Sequence, residues 1–229
     1  MILKLGQILL VLLLLTTGVG AAPNIVQSVV VDFPVNGRVI VQAHEEVGQF
    51  PKMLFISEKR ANVLLLSSIT DEDKLLTEAE SNLRFRVIRA SGFPGPMVMS
   101  VGLFHGGSDN QFFLTVFGEV DGKIVRLNDN PLFANIQGGY YLGYLNKNLG
   151  YGLAVWTFIW GNAINESHYS EHKYQIEIYQ LRGRRLQRTL RRISRRVYDW
   201  DKGANSLREL GIRVTDQRTG IPGINESLE

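Results

Sequence analysis

The chain has 229 residues, 45% of them hydrophobic and 21% charged, with 23 Gly, 7 Pro, no Cys and a formal net charge of +3. This composition excludes collagen-like, low-complexity and disordered chains. The lack of Cys excludes disulfide scaffolds, thiolate zinc centres, thiol nucleophiles and iron–sulfur clusters, so a core must hold the fold.

Residues 1–21 read as a signal peptide. Lys4 supplies a short positive region, Ile8 to Leu15 an apolar run, and Val19-Gly20-Ala21 a small-residue cleavage site with the cut after Ala21. The apolar run is shorter than the ~20 residues a membrane-spanning helix needs. The expected location is therefore secreted or periplasmic. Sequons occur at Asn165-Glu166-Ser167 and Asn225-Glu226-Ser227, but a Cys-free exported chain of this size points to a bacterial source.

From there the pattern predicts strands in succession. Val29 to Asp32, Arg38 to Gln42, Lys52 to Ile56 and Val63 to Leu66 are short β-branched or apolar runs, broken by Pro34, Asn36-Gly37 and Pro51. Thr70 to Ser81 is polar, a short helix or a loop. Leu83 to Arg89 alternates apolar and basic residues, as a half-buried strand does, and Ser91 to Pro96 is a Gly/Pro turn. Met97 to Phe104 and Phe112 to Phe117 are apolar strands, and Asp121-Gly122 is a hairpin signature. Tyr140 to Leu145, Leu153 to Trp160 and Tyr174 to Leu181 follow. No long helical periods alternate with these strands. The expected fold is all-β, an antiparallel sandwich or partial propeller-like sheet assembly with a short C-terminal helix. One domain over 22–214 and a flexible tail over 215–229 complete the expected layout.

Residues 182–196 carry eight Arg and no acid. Leu186, Leu190, Ile193 and Val197 fit an amphipathic helix face, while Leu181-Arg182-Gly183-Arg184 fits a hairpin turn that would pair Leu186 to Arg192 back on Tyr174 to Leu181. The hairpin is the preferred reading. Arg182 to Arg196 form either an anion-binding surface or a solvated face balanced by the acidic remainder of the chain. Downstream, Asp201 is placed to cap a short helix through Leu207 and Leu210, ended by Gly211.

Three groups could carry chemistry. Glu166, His168 and His172 form the first. Helical spacing would put the two imidazoles on one side with a carboxylate as third ligand, a zinc set, although the Glu of a H-E-x-x-H hydrolase is replaced by Tyr169. His105, Ser108 and Asp109 are the second, a nucleophile, base and acid crowded into one Gly-rich turn without a G-x-S-x-G elbow. The third is aromatic: Tyr140, Tyr141, Tyr144, Tyr151, Trp156, Phe158 and Trp160. Aromatics on a sheet face stack on sugars, but here both sides of Leu153 to Trp160 are apolar, so core packing is expected.

The run Tyr144 to Trp156 resembles an FG-GAP or VCBS-type β-propeller repeat, D-x-N-x-D-G-x-x-D-L-x-V. Asn146, Leu153 and Val155 match it; Tyr144, Asn148 and Gly152 stand where it has Asp, and Leu149 precedes a displaced Gly150. The resemblance spans 13 residues and occurs once. It implies a degenerate repeat of a secreted β domain, of the kind that serves as scaffold or recognition surface.

The expectation is a secreted, non-enzymatic β module with a binding or scaffold role at the cell envelope, without cofactor, catalytic set or metal. Its expected partner is an envelope or extracellular macromolecule, not nucleic acid. The alternatives are a zinc-binding protein or hydrolase using Glu166, His168 and His172, and an anion-binding surface protein using Arg182 to Arg196.

Overall fold

A computed structural model describes residues 24–45, 52–57, 59, 62–67, 83–89, 95–106, 109–129, 132–135, 137–161 and 166–214. The expected signal peptide over 1–21, the 70–81 stretch and the expected tail over 215–229 lie outside these residues. The described chain is all-β, as its strand pattern predicts, and is built from three antiparallel meanders taken in chain order.

The first sheet runs β1 (Asn24–Phe33), β2 (Gly37–Glu45), β3 (Lys52–Ser57) and β4 (Asn62–Ser67). The second holds β5 (Leu83–Ile88), β6 (Met97–Gly106), β7 (Asp109–Val120) and β8 (Lys123–Arg126), with β9 (Leu132–Asn135) also paired to β7. The third holds β10 (Gly139–Asn146), β11 (Gly150–Ile159), β12 (Lys173–Arg182) and β13 (Arg185–Ile193).

The turns follow their residues. Asp121 and Gly122 both adopt positive φ, 48° and 69°, as a two-residue type I′ hairpin requires. Gly183 takes φ 62° between Arg182 and Arg185, which closes the β12–β13 hairpin. Residues 182–196 therefore do not form a helix: Leu186 pairs with Leu181 and Arg192 with Ile176.

Period-2 alternation distributes the side chains between stacked layers. Val31, Phe33, Val39, Val41, Met53 and Phe55 pack on Phe85, Val98, Phe113 and Phe117 of the second sheet. The residues between them in sequence, Met97, Met99, Val101, Leu114 and Val116, face the other way and meet Leu153, Val155, Tyr179 and Leu186. The second sheet is thus buried on both faces, which is why β6 and β7 read as near-continuous apolar runs. The far face of the third sheet, with Trp156, Phe158, Tyr174, Ile176 and Ile178, is covered by Leu207 and Ile212.

Leu207 belongs to the C-terminal helix, which is a 3-10 helix (Gly203–Leu210). Asp201 does not cap it; Lys202 occupies the cap position and no side chain bonds the first turn. The stop does follow the sequence, with Gly211 left-handed at φ 71° and its N–H bonded back to Arg208 O.

Polar side chains join the sheets. The Glu119 carboxylate on β7 accepts the backbone N–H groups of Val35 and Asn36, both at 2.7 Å, and the Asn36 side-chain amide. The Gln27 amide bonds both the N–H and the C=O of Phe85, at 2.8 and 2.9 Å, and so stands in for a strand at the open edge of β5. Asn128 does the same for β7, accepting from Val116 N–H and donating to Leu114 C=O between β8 and β9. Among the described residues no helix is long and apolar enough to cross a membrane.

Candidate functional site

The three chemical groups read from the sequence have different fates. β6 and β7 pair as far as Gly106↔Asp109; Ser108 lies outside the described residues, as do the side chains of His105 and Asp109, so the hydrolase set has no described geometry.

Glu166 and His172 are brought together, but by a turn and not a helix. His172 is 1% exposed. Its backbone bridges to Tyr198 in both directions, at 3.0 and 2.9 Å, which pins the ring over the far face of the third sheet. The ring lies 4.6 Å from Phe158, centroid to centroid. Its Nε2 donates to the Ser167 carbonyl at 2.9 Å, and Nδ1 lies 2.9 Å from Glu166 Oε1 in a bent contact. Both ring nitrogens thus face oxygen acceptors of the same turn, an arrangement that uses the imidazole to hold the chain and leaves neither lone pair directed at a metal. Gly161 makes room for the carboxylate: a Cβ there would come within 3.0 Å of Glu166 Oε2. Ser167 and Ser170 tie the turn with reciprocal bonds, Ser170 N–H to Ser167 O and Ser167 N–H to Ser170 Oγ, each 3.0 Å.

His168 points elsewhere, edge-on to Trp160 at 4.8 Å and to Phe158 at 5.8 Å. The set weighed as an alternative zinc site is therefore split between a buried His172–Glu166 contact and an aromatic contact. Among the described residues no three His, Cys, Asp or Glu side chains are grouped to hold a metal ion.

The aromatic group divides at the end of β11. Trp156 and Phe158 are core residues, 0% and 2% exposed, as expected. Trp160 follows one residue past the end of β11 and is 42% exposed, with its ring still packed on Phe158 at 5.1 Å. Two aromatics absent from the sequence-derived group are exposed as well, Tyr169 at 74% and Trp200 at 44%, and they meet edge to face at 5.5 Å and 90°. The Trp200 carbonyl accepts the hydroxyl of buried Tyr174 at 3.3 Å, which fixes its segment to the sheet. Burial, followed by the Asp201 and Asp199 carboxylates, pushes that Tyr174 phenol up to about 12. Two groups of rings result: Phe158, Trp160, His168 and His172 pack together, and Tyr169, on the same turn as the two His, packs with Trp200. The only sequence signal for this patch was the proximity of Tyr169 to the His pair and of Trp200 to the 3-10 helix.

The arginine run spans the end of β12, the turn, β13 and the residues just after it, with β13 at an edge of the third sheet. Four of its eight guanidiniums meet carboxylates: Arg184 with Asp121, Arg185 with Asp129 at 2.6 Å, and Arg188 and Arg191 with Glu177 at 2.8 and 3.5 Å. Glu177 also accepts the Tyr179 hydroxyl at 2.5 Å; burial first and this bond second push that phenol upward. Exposed pairs of this kind add little to stability, and the charge they place on an edge strand discourages pairing with another chain. Beyond β13, the N–H groups of Arg195 and Arg196 and the Tyr198 hydroxyl all donate to the Glu209 carboxylate.

The run that resembles a propeller repeat forms the β10–β11 hairpin, and the loop does lead into a strand. Asn146 Oδ1 accepts the N–H groups of Asn148 and Leu149, at 2.8 and 2.9 Å, while its amide donates to Leu210 O at 2.8 Å. The Asn at the matched position is thus engaged in closing its own turn and anchoring the 3-10 helix. No family model, curated protein or solved structure matches the chain.

Proposed function

We propose that this chain is an exported, non-enzymatic β module that acts by binding, and that its recognition surface is the aromatic end of the third sheet. One observation carries this reading: Trp160, packed on His172, and Tyr169 and Trp200, packed on each other, are 42%, 74% and 44% exposed, while Trp156, Phe158 and Tyr174 on the far face of the third sheet are buried. Large aromatics left in solvent as a group forgo burial worth about 1.5–3 kcal/mol each, and such patches mark interaction sites. The engagement of His172 and Glu166 in structural contacts supports a binding role over a hydrolytic or metal-dependent one. The segment 1–21 supports export, and the degenerate propeller-like repeat accords with a recognition surface or scaffold.

The test is photo-crosslinking in intact producing cells, with p-benzoylphenylalanine at position 169 and, as control, at Tyr144, which is 49% exposed elsewhere on the third sheet. A discrete adduct at 169, absent at 144 and lost with Trp200→Ala, is the expected outcome. Equal labelling at both positions, or none at 169, would remove the patch as a recognition surface. Recovery of a mature protein beginning at Ala22 from the medium or periplasm checks the export half.

A further inference from the structure

We infer that the ligand of the aromatic patch is a neutral carbohydrate chain, a deepening that rests on the binding reading above. Three features of the patch converge on that class.

The first is ring geometry. Trp160 is held edge-on by Phe158 at 5.1 Å, by His168 at 4.8 Å and by His172 at 5.6 Å, and Tyr169 and Trp200 hold each other at 90°. Trp160 and Trp200 are half sunk, Tyr169 stands further out, and each ring has a near-perpendicular neighbour. That makes preorganised platforms, suited to the flat C–H face of a pyranose.

The second is the charge among the rings. Glu171, Asp199 and Asp201 alternate with Lys173 and Lys202 in the same two segments, and Lys202 is already paired with Asp199. There is no basic excess. An anionic membrane or a nucleic acid would require one. Arg184, Arg185, Arg188 and Arg191 of the 182–196 run each meet a carboxylate.

The third is the texture of the surface. Charged and hydroxyl side chains, including those of Ser167 and Ser170, interrupt the aromatics every one or two residues. A protein interface of ordinary size needs a continuous apolar centre within about 800 Å² on each partner. A sugar chain presents the alternation this patch matches, apolar ring faces beside hydroxyls that donate and accept.

Affinity electrophoresis of the purified protein tests the inference, in gels containing neutral polymers (cellulose ethers, laminarin, starch, mannan, glycol chitin), an acidic one (alginate), or none. Retardation by at least one neutral polymer is expected, weakened roughly tenfold or more by Trp160→Ala or Trp200→Ala. Trp200→Phe, which keeps a stacking face, should retain most of the binding, and Arg195→Ala with Arg196→Ala should leave it unchanged. Circular dichroism of each variant separates lost binding from lost folding. Failure of every neutral polymer to retard the protein overturns the inference. So does retardation that survives the alanine substitutions, or retardation only by alginate or cosedimentation only with 3:1 phosphatidylcholine:phosphatidylglycerol vesicles that disappears with the Arg substitutions. If neutral polymers fail while the position-169 adduct still forms, the carbohydrate assignment falls and the binding surface stands. If both fail, both readings fall.

Discussion

Replacing Gly139 by Ala tests how tightly the third sheet is locked to its tryptophan. Gly139 pairs with Trp156 across β10 and β11, and the indole lies directly over it. A Cβ at 139 would sit 2.2 Å from Cζ2, 2.6 Å from Cε2 and 2.9 Å from Cη2 of that ring. Carbon atoms pack at about 3.5–4.0 Å, so the indole must retreat by more than ~1 Å. It has nowhere to go, since Trp156 is 0% exposed and belongs to the cluster closed by Leu207 and Ile212. Overpacking of this kind costs about 1–3 kcal/mol, set against about 0.5–1 kcal/mol gained from a stiffer unfolded chain. A net loss of about 1–2 kcal/mol is expected in urea unfolding at constant m. The argument sharpens in a double-mutant cycle with Trp156→Leu. Without the indole the added methyl meets no ring, so Gly139→Ala should become neutral or slightly stabilising, and the two sites should couple by about 2 kcal/mol. Equal cost of Gly139→Ala in both backgrounds, or a cost below about 0.5 kcal/mol in the parent, would refute the close-packing reasoning.

Three further outcomes follow from the polar contacts. Glu119→Ala removes the acceptor of the exposed Val35 N–H, of the Asn36 N–H and of one N–H of the Asn36 side-chain amide, which keeps its bond to Gly122 O, in a residue 5% exposed; a loss of about 1–3 kcal/mol is expected in the same assay, and a loss under 0.5 kcal/mol would mean the first and second sheets do not depend on this link. Burial pushes the Glu209 carboxyl up, but the N–H groups of Arg195 and Arg196, the Tyr198 hydroxyl and nearby Arg192 outweigh it and hold the group below its usual value. The stability this gives is present above the ordinary carboxylate range and lost as pH falls through the folded value. The gap between parent and Glu209→Gln should therefore close on acidification; a gap that is independent of pH would contradict it. Tyr174 has the opposite sign, because its phenol is raised to about 12. Its contribution is complete below pH 10 and disappears as pH rises through about 12, so absorbance titration of the folded protein should show it ionising late. A single step near pH 10 for all eight tyrosines would exclude that.

Much of this fold is legible in local chemistry. Asp121-Gly122 and Gly183 each force a turn by the backbone angles they accept, and the register of the arginine hairpin follows once Gly183 is recognised. What escaped was nonlocal. β9, four residues long, offers too little pattern to stand out, and its existence depends on Asn128 bridging to β7. Trp160 carries the same alternation as Trp156 and Phe158, and nothing in its neighbourhood says that the strand ends one residue earlier. The His pair was legible as a pair, but its geometry was not: the spacing that would align two imidazoles on a helix instead sends one against a carboxylate and the other against an indole. Likewise Asp201 has the right residue type for a cap, yet the chain enters the helix one residue later, at Lys202.

The middle sheet's burial on both faces has a consequence in time. Every sheet is made of consecutive strands, so pairing within it is local and fast, whereas the bonds between sheets join residues 58, 83 and 84 apart and must wait. In a chain delivered amino end first, the first sheet can find its partner once Arg126 has emerged. The opposite face of that partner, Met97, Met99, Val101, Leu114 and Val116, stays uncovered until the stretch from Leu153 to Leu186 arrives. During that interval a two-sheet intermediate presents a bare apolar wall, the surface on which self-association would begin. The third sheet therefore finishes the protein in a kinetic sense too: a chain truncated before Leu153 would hold its strands and still be a seed for aggregates.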